Sequence, residues 1–146
     1  MYLTIDPAHS RAAALAVRPR LSVVMVVYMT GPVLMESVRH ALAEPLAEEL
    51  VIVDNGSSVA DAAWLRALAR REPRVRLLQG LGNIGFARAA NLGATSAKGE
   101  ELVFLNPDAF LTPGAITALR EAARDRPSPC VVGARVFNTD GTEQRG

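Results

Sequence analysis

From residue 21 onward, apolar and polar positions fall into a repeating order. Leu21–Tyr28 is almost wholly apolar and rich in valine, which predicts a strand buried on both faces. Gly31-Pro32 interrupts it. Leu34, Val38 and Leu42 then recur at i, i+4 and i+8, one apolar stripe on a helix over Val33–Ala43 that Pro45 stops. Leu50–Val53 is a second strand, and Asp54-Asn55-Gly56-Ser57-Ser58 is a polar turn. Asp61–Arg71 is a helix with Trp64, Leu65 and Leu68 inward. Val75–Leu78 is a third strand, and Gly80–Gly85 is a glycine-rich loop. Phe86–Ala97 is a helix of mostly small residues, with Gly99 as its C′ residue. Leu102–Leu105 is a fourth strand. Thr112 and Pro113 are placed as Ncap and N1 of a helix reaching about Arg124. Val131–Phe137 reads as a fifth strand, followed by a turn at Asp140-Gly141.

Strands alternating with helices predict an α/β domain with a doubly wound, mainly parallel sheet of the Rossmann-like kind. Ligands of such sheets bind beyond the carboxyl ends of the strands, where strand order reverses. Tyr28, Asp54, Asn83 and Asp108 all fall at or just past strand ends. The chain has 146 residues, enough for one domain with a real core. That domain is placed at residues 21–146, after an N-terminal extension over residues 1–20 with room for one short helix at Arg11–Val17.

Composition changes the picture mainly by exclusion. Hydrophobic residues are 49% and charged residues 21%, so disordered and disulfide-stapled classes are out. The net charge is +1 and the arginines are dispersed, which argues against a nucleic-acid partner. The lone Cys130 opens an apolar stretch and is expected to be a small buried hydrophobe, compatible with a reducing compartment. The longest apolar run, Val23–Met29, is too short to span a bilayer, and the first twenty residues lack a secretory core.

Three segments carry candidate chemistry. Asp54 can accept from a nucleobase N–H or a ribose hydroxyl, although its setting is good turn chemistry by itself. Gly80-Leu81-Gly82-Asn83-Ile84-Gly85 matches G-x-G-x-x-G between a strand and a helix, and Asp108 follows Gly85 by 23 residues. That permits an NAD-binding Rossmann domain, but two βα units precede the match where the fingerprint belongs to the first. Asn106-Pro107-Asp108 places a carboxylate after a rigid proline. One Asp holds a divalent ion only if phosphate oxygens and water complete the shell. A plain turn is the competing reading there. His9 and His40 are isolated, and His40 is expected on a helix surface.

Taken in order, these stretches resemble the family 2 glycosyltransferases, especially the rhamnosyltransferase-like branch. The matching segments are Leu21–Tyr28, Val51–Ser58, Gly82–Asn91 and Val103–Ala109, with Asp140–Gln144 similar to the segment after the fifth strand. The resemblance implies a GT-A fold that binds a dTDP- or UDP-sugar. Tyr28 would lie by the base and Asp54 would bind base or ribose. Asn83, Gly85, Phe86, Arg88 and Asn91 would line the nucleotide pocket. Asn106 and Asp108 occupy the two ends of the family's Asp-x-Asp motif, so Asp108 would hold Mg2+ or Mn2+ against the diphosphate. The implied reaction is attack of an acceptor hydroxyl on the anomeric carbon with inversion.

The resemblance also implies a glycan or lipid-linked acceptor, and a cytoplasmic protein working at the inner face of the membrane. Val27-Tyr28-Met29 departs from the family's usual Thr-Tyr-Asn. The family's acceptor-binding half and general base lie beyond Gly146, so no residue here takes the base's role and the chain is expected to be the donor-binding half. A nucleotide-sugar-binding module without turnover, an NAD-binding domain and a self-associating remnant are the other readings, the last implying a homo-oligomer.

Overall fold

The computed structural model describes residues 19–138 and 140–144. Strand β1 (Leu21–Val27) is buried along its whole length. It is followed by α1 (Val33–Ala43), β2 (Glu49–Asp54), α2 (Val59–Arg71), β3 (Val75–Leu78), α3 (Phe86–Ser96), β4 (Glu101–Phe104) and α4 (Ala115–Ala123). The four strands form one parallel sheet in the order β3-β2-β1-β4.

Alternation along β1 and β2 sends successive side chains to opposite faces. On one face Leu21, Val23, Met25, Val27, Leu50 and Ile52 pack with Leu34 and Val38 of α1, Leu65 of α2 and Ile116 of α4. On the other, Val26 and Val53 pack with Ala89 of α3. The small residues of α3 let it sit close: a β-carbon at Gly93 would stand 2.5 Å from Val24 Cγ1. The chain steps outward from β1 to β2 to β3 with α1 and α2 on one face, then returns over the other through α3 to β4. Right-handed crossovers require that change of face. Strand order therefore reverses between β1 and β4, which opens a crevice at their carboxyl ends.

The ends of the elements have local causes. Ser58 caps α2: its Oγ accepts from Asp61 N–H at 3.1 Å and donates to the Asp61 carboxylate at 2.9 Å. The helix therefore starts two residues before the expected Asp61. Thr112 and Pro113 do not open α4. Thr112 closes a turn by accepting from Ala115 N–H at 3.0 Å, and Gly114, at φ 82°, breaks helical geometry just before Ala115. Gly99 is not a helix C′ residue either. It lies against the start of β1, where a β-carbon would meet Ser22 N at 2.6 Å.

No fifth strand forms among the described residues. Residues 131–136 have no regular structure, and only an isolated antiparallel bridge joins Phe137 to Glu143. An apolar, β-branched run forms a strand only where a partner strand takes its hydrogen bonds, and β4 remains an edge of the described sheet. Cys130, expected inside on the strength of that strand, is exposed. The expected helix at Arg11–Val17 lies outside the described residues.

Candidate functional site

An open cleft of about 760 Å³ occupies the crevice, walled by the segments that leave β1, β2 and β4 and by the start of α3. Each wall comes from a chain end that the sheet fixes. Beyond β1 come Tyr28, Met29 and Thr30. Met29 holds φ 46°, left-handed backbone that a long side chain seldom adopts. Tyr28 is 55% exposed and lines the cleft.

At the end of β2, Asp54 and Asn55 are both buried. The Asp54 Oδ1 accepts from the N–H groups of Ser57 at 2.8 Å and Gly56 at 3.2 Å, while Oδ2 accepts from Gln79 Nε2 at 2.8 Å. Burial opposes ionisation of this carboxyl, but the donors around it prevail and hold its pKa below the ordinary value. Asp54 thus shapes the turn, and its neighbour Asn55 is the residue that lines the cleft. The Asn55 backbone N–H donates to Val27 O at 2.8 Å. Its Oδ1 accepts from Ile84 N–H at 2.8 Å, and its Nδ2 donates to Asn83 Oδ1 at 3.1 Å.

The glycine-rich loop after β3 delivers Asn83 and Gly85 to the cleft, and α3 opens on Phe86. A dinucleotide fingerprint needs its third glycine for close helix–strand packing. Nothing lies within 4 Å of a β-carbon built at Gly85, and the loop follows the edge strand β3 rather than the strands at the reversal. The match to G-x-G-x-x-G is therefore one of sequence and not of geometry.

Beyond β4, Asn106 and Asp108 line the opposite wall. The segment after them is held by α1. Ser37 Oγ donates to Ala109 O at 2.6 Å. His40 stacks on Phe110 with ring centroids 5.2 Å apart, and its Nδ1 lies 3.2 Å from Leu111 O. His40, expected on a helix surface, is half-buried on α1 and holds this loop. None of the ion pairs among the described residues involves the Asp108 carboxylate. No cluster of three or more metal-ligating side chains occurs among them. A divalent ion here would take one carboxylate from the protein and the rest of its shell from ligand phosphates and water, an arrangement that suits Mg2+.

The fold brings together Tyr28, Asn83, Gly85, Phe86, Asn106 and Asp108 from the expected set. It does not bring Asp54, Arg88 or Asn91 to the cleft lining. Sequence reasoning missed Asn55, Met29 and Thr30. Asn55 carried a signal, a polar side chain directly after a buried strand, but a turn accounts for that equally well.

The sequence model of Glycosyl transferase family 2 matches residues 22–146. The chain belongs to that family. It is 30% identical over 124 residues to a protein named glycosyltransferase GlyG from Streptococcus pneumoniae, covering 84% of this chain and 41% of the relative. It is 32% identical over 136 residues to an N-acetylglucosaminyl-diphospho-decaprenol L-rhamnosyltransferase from Mycobacterium tuberculosis, covering 84% of this chain and 43% of the relative. The chain thus spans about two fifths of the length of these relatives. Among solved structures it is similar to the mannosyltransferase PcManGT of Pyrobaculum calidifontis in complex with GDP-Man and Mn2+. The TM-score is 0.67 at 23% identity, over 76% of this chain and 34% of that one. Residues 1–349 of Staphylococcus aureus TarS give a TM-score of 0.61 at 17% identity, over 72% of this chain and 33% of that one. The fold is that of the GT-A glycosyltransferases.

Proposed function

We propose that this chain binds the nucleoside diphosphate of a dTDP- or UDP-sugar, and that the protein transfers the sugar to an acceptor hydroxyl with inversion. The observation that carries the reading is a single one. Tyr28, Asn83 and Asp108 leave three different strands and meet in one cleft at the point where strand order reverses. An aromatic ring, an amide and a carboxylate are what a base, a sugar–phosphate and a bridging cation require.

In this reading Tyr28 offers its exposed face to the base. The opening turn of α3, capped by no side chain, presents free N–H groups toward phosphate. Asp54 keeps the β2 turn in shape beneath them. Asp108 would hold Mg2+ or Mn2+, with Asn106 beside it in the cleft lining. When bound, the cation offsets the charge that grows on the departing diphosphate. The Ser37 and His40 contacts to Ala109 O and Leu111 O hold the segment that follows Asp108. The acceptor hydroxyl must lose a proton to a general base, and no residue of this chain is assigned that role.

A lipid-linked acceptor is supported by the name of the mycobacterial relative, and it would place the work at a membrane surface. No helix of the described residues is long and apolar enough to cross one. The test is donor hydrolysis or transfer by the full chain with dTDP- and UDP-sugars, with product anomers read by NMR. Transfer with inverted configuration supports the reading. Retention overturns inversion, and donor binding with no turnover favours a binding module.

A further inference from the structure

The amide of Asn83 has its orientation fixed by two groups that cannot be turned over. A backbone N–H only donates, so Ile84 N–H must meet the oxygen of Asn55, which sits 2.8 Å away. That leaves the Asn55 nitrogen toward Asn83, where it needs an acceptor and finds Asn83 Oδ1 at 3.1 Å. Gly85 N–H donates to the same Oδ1 at 3.0 Å. Asn55 is 4% exposed, so solvent has little access to its side chain. With its oxygen engaged twice, Asn83 has only its NH2 group left for the cleft that it lines.

We infer that Asn55 is a positioning residue which sets the polarity of Asn83, so that the cleft meets a ligand there with an N–H donor and the ligand answers with an oxygen acceptor. The inference rests on the nucleotide reading above. On a nucleoside diphosphate the acceptor is a base carbonyl or a phosphate oxygen. Both satisfy the same donor, and binding of nucleoside and of nucleoside diphosphate separates them. The inference also explains why a buried asparagine follows Asp54. Leucine would fill the space but leave Ile84 N–H unpaired and Asn83 free to rotate.

The test uses the full chain, with uridine, thymidine, UDP and dTDP as probes. Asn83→Asp keeps an acceptor for Asn55 and Gly85 but turns a carboxylate oxygen to the cleft. Its affinity for the diphosphates should fall at least about tenfold. An equal fall for the nucleosides assigns the acceptor to the base, and no fall for them assigns it to phosphate. Unchanged affinity for every probe overturns the inference. Asn55→Asp keeps the acceptor for Ile84 N–H and removes the donor to Asn83. Amide hydrogen exchange at Ile84 should stay slow while diphosphate affinity drops, a combination that a merely structural role for Asn55 does not produce. Asn55→Ala should speed exchange at Ile84 and Gly85 with Val51–Val53 unchanged, and no change at Ile84 contradicts the clip whatever binds. If the wild type binds none of the four probes, the nucleotide reading falls and the ligand half of the inference with it, while exchange still decides whether the clip exists.

Discussion

The ring of Tyr28 packs on Gly56: a β-carbon at Gly56 would stand 3.3 Å from Tyr28 Cδ2. Gly56 also holds φ 114°, where L side chains are strained. The glycine after Asp54-Asn55 therefore makes the turn and leaves the seat on which the aromatic wall of the cleft rests. Gly56→Ala should cost about 1 to 3 kcal/mol of stability and displace Tyr28. Urea unfolding and nucleoside affinity read the two effects separately. A variant as stable as the wild type would mean that the turn relaxes at no cost.

Glu49 holds the opposite end of the sheet. Its Oε2 accepts from Ser22 Oγ at 2.7 Å and from Lys98 N–H at 2.8 Å, and its Oε1 faces Arg76 at 3.4 Å. Burial raises its pKa, but these partners outweigh burial and hold it below the ordinary 4.5. Asp54 is likewise held below 3.8. Folded values lower than unfolded ones stabilise the protein once the unfolded carboxyls are ionised, and the gain is lost as pH falls through the folded values. Unfolding free energy should therefore be level above roughly pH 5.5 and fall below about pH 4.5. Glu49→Gln keeps an oxygen for Ser22 and Lys98 and should flatten part of that acid limb. Glu49→Ala strands the Lys98 N–H and should cost about 2 to 3 kcal/mol near neutrality. Equal losses for the two variants would contradict this account.

The approach of α3 to the sheet gives a third prediction. With a new β-carbon 2.5 Å from Val24 Cγ1 and 3.2 Å from Val53 Cγ2, Gly93→Ala overpacks the α3 face. A loss of about 1 to 3 kcal/mol is expected. Adding Val24→Ala should recover part of it, since the two side chains then share one space. Strict additivity in the double variant would place the strain elsewhere.

The strands and helices that build the core were legible because their signals are local. The valine run of β1 and the stripe of Leu34, Val38 and Leu42 state their own burial. The errors fall where the outcome depends on a distant partner. Val131–Phe137 has strand composition, but no strand pairs with it among the described residues. Thr112-Pro113 has capping chemistry, yet Gly114 takes the left-handed position that starts α4. Gly99 suits a helix end, and its real constraint is contact with Ser22, 77 residues away in sequence. The site was legible as a set of strand ends. Which of Asp54 and Asn55 faces the cleft was not, because the choice is set by Gln79 and Ile84 from another loop.

In the proposed function, Asp108 couples a divalent cation to a nucleoside diphosphate in the cleft between β1 and β4. Calorimetric titration of the full chain with UDP, dTDP and NAD, with and without Mn2+, tests it on the wild type and on Asp108→Ala. A diphosphate should bind more tightly with Mn2+, and Asp108→Ala should remove the metal-dependent part. Metal-independent binding of NAD alone, or diphosphate binding that Asp108→Ala leaves unchanged, would contradict it.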